Sequence, residues 1–165
     1  MDTLSTEALV HALASALRAR GWRLASAESC TGGLVAAACT TVAGSSDWFE
    51  RGVVTYSNEA KSELLGVDPA LIAAHGAVSE PVALAMAAGL LARAPVQLVV
   101  AVTGIAGPGG AVPGKPVGTV WLAWGRAGAL HGERLQLAGD RDAVRSATVR
   151  IALERLLAAA QAGGA

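Results

Sequence analysis

The sequence predicts an α/β fold with a mixed sheet of about five strands and helices on both faces. Three observations carry this. Helical and strand-like segments alternate through the first hundred or so residues. Val96 to Val102 is a nearly continuous apolar run, the pattern of a strand buried on both faces. After it the alternation gives way to two strand-like segments, Val117–Trp124 and Leu130–Leu137, which meet near Gly128 and read as a hairpin.

The elements follow in order. Leu9, Leu13 and Leu17 recur every four residues beside Ala12 and Ala16, which predicts an amphipathic helix over roughly residues 3–20, stopped by Gly21. Trp22 to Ala27 reads as a strand, and an Ala-rich helix follows over about 33–43. Gly44 to Asp47 is a turn, and Val53-Val54-Thr55-Tyr56 makes the segment from Phe49 to Ser57 β-rich. A short helix opens after Asn58 and carries Lys61, Leu64 and Leu65. Asp68-Pro69 starts a second, with proline suited to a first helical turn, and Ser79-Glu80-Pro81 starts a longer one through Ala92. Residues Thr103 to Pro116 form a loop dense in glycine and proline. Asp140 can cap a final helix of about twenty residues with Val144, Thr148, Ile151 and Leu156 on one face, and the Ala/Gly tail at 158–165 is expected to fray.

The 165 residues fit one domain spanning 1–165, large enough to bury its own core. Apolar residues make up 53% and charged residues 16%, and no run is long and apolar enough for a membrane span. The N-terminus lacks the basic-then-apolar order of a signal peptide, so a cytoplasmic protein is expected. The net charge of +0 argues against broad capture of nucleic acid or of an acidic membrane. Cys30 and Cys39 lack the spacing of a metal knuckle, so neither zinc nor a disulfide is expected.

Three polar segments, 28–33, 55–61 and 103–116, sit at predicted strand ends, where open α/β sheets tend to bind ligands. Ser29 lies at a strand-to-helix turn before Thr31-Gly32-Gly33. A serine there can be a nucleophile, with N–H groups of the following helix start holding an oxyanion or phosphate. Ser29 or Thr31 can equally be that helix's N-cap. A nucleophilic serine needs a base, and His11, His75 and His131 lie in no polar cluster. Lys61 is the better candidate if burial lowers its pKa, with Tyr56 to relay a proton or position the amine; a solvated helix lysine is the plain alternative. The loop Thr103-Gly104-Ile105-Ala106-Gly107 onward can wrap N–H groups around a phosphate or be a surface turn. Pro116 after Gly114-Lys115 breaks a P-loop match, and Val112 breaks the dinucleotide fingerprint. Arg141 and Arg145 can be helix-start charges or a phosphate clamp.

Several ordered motifs together resemble one family. They are Ala27-Glu28-Ser29-Cys30-Thr31-Gly32-Gly33, Trp48-Phe49-Glu50-Arg51-Gly52, Thr55-Tyr56-Ser57-Asn58-Glu59-Ala60-Lys61, His75-Gly76-Ala77-Val78-Ser79, Thr103-Gly104-Ile105-Ala106-Gly107-Pro108 and Gly139-Asp140-Arg141. Over about residues 5–157 the chain resembles the CinA C-terminal domain family. The resemblance implies a three-layer α/β/α sandwich with a mixed five-stranded sheet, assembled as a homo-oligomer. It implies hydrolysis of nicotinamide mononucleotide to nicotinic acid mononucleotide and ammonia, in pyridine nucleotide salvage, with no metal or cofactor. The implied roles fall on Ser29 as nucleophile, Lys61 as base and Tyr56 as assistant, with Cys30 as the rival nucleophile. The substrate-contacting set is then Cys30, Thr31, Gly32 and Gly33 around the oxyanion, Asn58, and Thr103, Gly104, Ile105, Ala106, Gly107 and Arg145 toward the ribose phosphate. Many relatives carry a further N-terminal domain with pyrophosphatase activity; the resemblance over about residues 5–157 does not include it, so that activity is not expected here. The competing class is a nucleotide- or partner-binding module of the competence type without catalysis.

Overall fold

A computed structural model describes residues 3–162. Its centre is a five-stranded sheet in the order β2-β1-β3-β4-β5. The strands are β1 (Leu24–Glu28), β2 (Phe49–Val54), β3 (Leu98–Gly104), β4 (Thr119–Arg126) and β5 (Ala129–Gln136). β2, β1 and β3 run parallel, and β4 and β5 run antiparallel to their neighbours. The six helices are α1 (Thr6–Arg20), α2 (Leu34–Cys39), α3 (Asn58–Leu65), α4 (Pro69–His75), α5 (Glu80–Arg93) and α6 (Arg141–Ala162).

The period of two along the strands divides the core. Leu98, Val100 and Val102 of β3 point to one face with Leu24, Val120 and Leu122, where α1, α2 and α6 supply Leu13, Leu17, Val35, Leu153 and Leu156. Val99 and Ala101 point to the other face with Ala25, Ala27 and Ala123, against Val82, Met86 and Leu90 of α5 and Leu65 of α3. Both faces are therefore covered, which is why β1 is buried along its whole length and β3 reads as a nearly continuous apolar run. No helix among the described residues is long and apolar enough to cross a membrane.

Helix ends follow local chemistry. Ser5 Oγ accepts from Ala8 N to open α1, and Gly21 closes it at φ 64. Ser57 and Asp68 cap α3 and α4 in the same way. Asp140 Oδ1 accepts from Ala143 N at the start of α6.

Three expectations need adjustment. The first strand spans Leu24–Glu28 rather than Trp22–Ala27, because Arg23 N and O are engaged by Gln97 and Leu98. The second helix stops at Cys39 rather than near 43. Thr40 Oγ1 donates to Ala36 O and Ala37 O, and Thr41 Oγ1 to Ala38 O, so threonine hydroxyls consume the last carbonyls. The tail is helical to Ala162 rather than frayed from 158. Ala160 is buried in the core cluster that includes α1, and Arg20 Nη2 donates to Gln161 O. Residues 163–165 of that tail lie outside the described residues.

Gly89 sets how closely α5 approaches α3. A Cβ there would stand 1.9 Å from Leu65 O, a backbone atom with nowhere to move. Alanine in a helix interior is normally worth about 1 kcal/mol over glycine. Here the steric penalty, about 1–3 kcal/mol or more, wins. Gly89→Ala should therefore lower unfolding free energy in a urea titration, the reverse of the helix-propensity effect.

Candidate active site

β1 continues into α2 on one face of the sheet, and β2 continues into α3, α4 and α5 on the other. The chain thus diverges between β1 and β3, and a crevice opens beyond their carboxyl ends. Pairing persists one residue past β1: Ser29 N donates to Val102 O and Thr55 N donates to Glu28 O. These bonds fix the backbone of Ser29 between its two neighbours.

Lys61 comes to Ser29 from α3. Its side chain is buried to 1% exposure, and Nζ lies 3.3 Å from Ser29 Oγ, 3.2 Å from Thr55 O and 3.5 Å from Ser57 O. The two carbonyls belong to the segment joining β2 to α3, so the local turn builds the amine's cradle. Lys61 forms no ion pair among the described residues. Burial holds its pKa below the usual lysine value, against weaker upward pulls from Cys30 and Glu59. A neutral amine has two N–H donors and one lone pair. Donating to two carbonyls leaves that lone pair for the Ser29 hydroxyl, which is the arrangement a general base requires.

The capping alternative for Ser29 is met by another residue. Glu28, buried to 1% exposure, accepts from Thr31 Oγ1 at 2.6 Å, Val35 N at 2.8 Å and Ala36 N at 3.1 Å. It caps α2 from six residues upstream of the helix, while the N-cap residue, Gly33 at φ 106, contributes no side-chain bond. Ser29 Oγ is thereby left to face Lys61. The same bonds occupy the N–H groups at the start of α2, and Gly32 N donates to Ser29 O. The helix start therefore does not offer the anion site read from sequence. The N–H of Cys30, directly after the serine, lies against its own thiol.

The crevice is a pocket of about 260 Å³. Ser29, Cys30, Tyr56, Asn58 and Lys61 line one side. Thr103, Gly104, Ile105, Ala106 and Gly107 line the other, with Ala77, Val78 and Arg141 completing the rim. Thr31, Gly32, Gly33 and Arg145 lie outside it. Thr31 is spent on Glu28, and Arg145 Nε donates to Cys30 O with Nη2 toward Thr31 O, so Arg145 braces the serine turn from behind. Arg141 takes the place at the pocket: Nη1 donates to Gly107 O and Nη2 to Tyr56 OH at 3.0 Å. Tyr56 is exposed at the mouth and bonds to neither Lys61 nor Ser29. Thr103 Oγ1 donates to Ala77 O, tying the 76–79 wall to β3. Cys30 is buried, and desolvation pushes its thiol up to about 11, so it stays protonated near neutral pH and is a poor nucleophile.

Glu28 had no assigned role in the sequence reading, since no local capping rule reaches seven residues ahead. The sequence offers Arg141 and Arg145 alike as phosphate clamps and points to Arg145, whereas Arg141 is the one that lines the pocket. Their spacing on a helix start does not tell which guanidinium turns inward.

A buried lysine without an acid partner costs stability while it is charged. Lys61→Met should raise unfolding free energy by about 0.5–2 kcal/mol near neutral pH while removing the base. The sign of the pH effect follows from the depressed pKa. Between that value and the unfolded value of about 10.5, the unfolded chain binds more protons, so wild-type stability gains with rising pH there. That gain should vanish in Lys61→Met, read from denaturation midpoints at several pH values.

The chain is similar to known proteins along nearly its whole length. The sequence model of the CinA C-terminal domain matches residues 6–160. The nicotinamide-nucleotide amidohydrolase PncC of Escherichia coli K12 is 54% identical over 142 residues, covering 86% of each chain. The protein of the same name from Pseudomonas putida is 50% identical over 157 residues, covering 95% of this chain and 97% of that one. The crystal structure of the competence/damage-inducible protein CihA from Agrobacterium tumefaciens superposes with a TM-score of 0.92 at 43% identity, covering 98% of this chain and all of that one. With the family match spanning nearly every described residue, the chain belongs to the CinA C-terminal domain family.

Proposed function

We propose that this protein is a nicotinamide-nucleotide amidase that hydrolyses nicotinamide mononucleotide to nicotinic acid mononucleotide and ammonia, in pyridine nucleotide salvage. The observation that carries the reading is the buried Lys61 amine beside Ser29 Oγ in a pocket of mononucleotide size, in a chain about half identical to proteins named for that activity.

Lys61, neutral, takes the Ser29 hydroxyl proton as Oγ attacks the carboxamide carbon. The developing oxyanion meets the Cys30 N–H. Such a donor is worth roughly 3 kcal/mol in the transition state. The carbon–nitrogen bond then breaks and ammonia leaves with the proton Lys61 had taken. Water enters, Lys61 removes its proton as the oxygen attacks the ester carbon, the carbon–Oγ bond breaks to free the acid, and Lys61 returns the proton to Ser29 Oγ. Arg141 and Tyr56 form one hydrogen-bonded pair at the mouth. Because the Tyr56 oxygen accepts from Arg141, its own O–H is free to donate to substrate, in keeping with an assisting role. The N–H groups of Ala106, Gly107, Gly109 and Gly110 make no bond among the described residues, and they suit the phosphate together with the Arg141 guanidinium. Ala77, Val78 and Ile105 offer apolar surface for the pyridine ring. Two unpaired thiols support a cytoplasmic setting, and the free outer edge of β2, with Val54 exposed, supports a homo-oligomer.

Purified protein should release nicotinic acid mononucleotide from nicotinamide mononucleotide. Ser29→Ala should reduce turnover by about three orders of magnitude or more, and Lys61→Met by roughly 10²–10⁴-fold. Because the base must be neutral, kcat/KM should rise with pH through a limb lying below the ordinary lysine range of about 10.5. Absence of product from folded wild type, followed by mass spectrometry, would overturn the reading.

A further inference from the structure

The loop from Ile105 to Gly118 presents the pocket's unbonded N–H groups, yet residues 108–114 are exposed and bury nothing of their own. Its two ends are tied by backbone bonds between Ile105, Gly118 and Thr119 and by Gln136 Nε2 to Val117 O, and the exposed span between them is steadied by cations reaching carbonyls. Arg141 donates to Gly107 O near its start, and Arg134 Nη2 from β5 donates to Gly114 O at 2.9 Å near its end. The third cation belongs to the loop itself. Lys115, from the Gly114-Lys115-Pro116 run, turns Nζ to His75 O at 2.7 Å, the last carbonyl of α4. Lys115 forms no ion pair among the described residues, and Val112 and Lys115 exchange two backbone bonds that tighten the turn carrying it. Gly76 makes room, since a Cβ there would stand 2.8 Å from the Lys115 amine.

From this we infer that Lys115 is a positioning residue that clasps the glycine loop to the 75–79 wall and so sets substrate affinity. The inference rests on the proposed use of the pocket for nicotinamide mononucleotide. The wall carries Ala77 and Val78, and Thr103 holds its other side through Ala77 O. The clasp therefore joins the glycine loop to the 75–79 segment that completes the rim of the proposed mononucleotide pocket. It touches neither β1 nor α3, which carry Ser29 and Lys61. Losing it should loosen binding and leave the chemistry intact.

The test uses Lys115→Met, which keeps the apolar stem, and Lys115→Arg, which restores a donor. In Lys115→Met the Val112 and Lys115-position amides should exchange hydrogen faster than in wild type. Its KM for nicotinamide mononucleotide should rise roughly tenfold, with kcat within about twofold and the pH limb unmoved. Lys115→Arg should recover most of the affinity. Calorimetry in a Ser29→Ala background, with and without Lys115→Met, should show the same roughly tenfold change in Kd for nicotinamide mononucleotide. Unchanged exchange, unchanged Kd, or no binding in either background would overturn the clasp, as would a fall in kcat at constant KM. Failure of wild type to turn over nicotinamide mononucleotide defeats the amidase reading alone, because exchange and calorimetry do not depend on turnover.

Discussion

Everything at this site depends on the burial of one amine. Among the described residues, the oxygens within hydrogen-bond reach of the Lys61 amine are neutral: two backbone carbonyls and the Ser29 hydroxyl. A carboxylate in that shell would hold the lysine charged and useless as a base, because an opposite charge favours the protonated form. The carbonyls do the opposite kind of service. They orient the amine through its donors and leave its lone pair directed at the serine. The cost of burying an ionisable group falls on folding stability, and the packed core on both faces of the sheet is what allows it.

The sheet converts this local chemistry into geometry. Ser29 is held by pairing to β3 and by its neighbour's pairing to β2, and Lys61 hangs from the helix that β2 feeds. Three consecutive parallel strands thus fix the nucleophile and base relative to one another without either residue sitting on a free loop. Glu28 adds the next layer. Its carboxylate gathers Thr31 and the α2 start into one buried cap, so the turn after Ser29 has a single shape. Arg145 braces that turn by taking the carbonyls of Cys30 and Thr31.

Much of this was legible in the sequence, and the reasons differ by element. The Leu9-Leu13-Leu17 spacing located α1, and the Val96–Val102 run located β3, because each period reports directly on which face is buried. Gly21 and Asp68-Pro69 marked helix ends by their backbone preferences. What stayed hidden was long-range partnership. Glu28 reaches seven residues forward, Arg141 turns to the pocket while Arg145 turns away, and Ala160 is retained in the helix by packing on α1. Alanine and glycine in the tail say fray by composition, and only the tertiary contact reverses it. The site motifs were recognised as a family pattern. The direction of each side chain was a matter for the fold.

Lys61 is poised to be neutral because its burial outweighs the weaker upward pulls of Cys30 and Glu59. The most direct measurement is a titration of the Lys61 side-chain resonances by NMR in protein carrying 13C-labelled lysine, with Lys61→Met identifying the signal. The account predicts a midpoint clearly below the ordinary lysine value of about 10.5. A Lys61 midpoint at or above the ordinary lysine value of about 10.5 would contradict it, since the amine would then be a fixed charge beside Ser29 rather than its base.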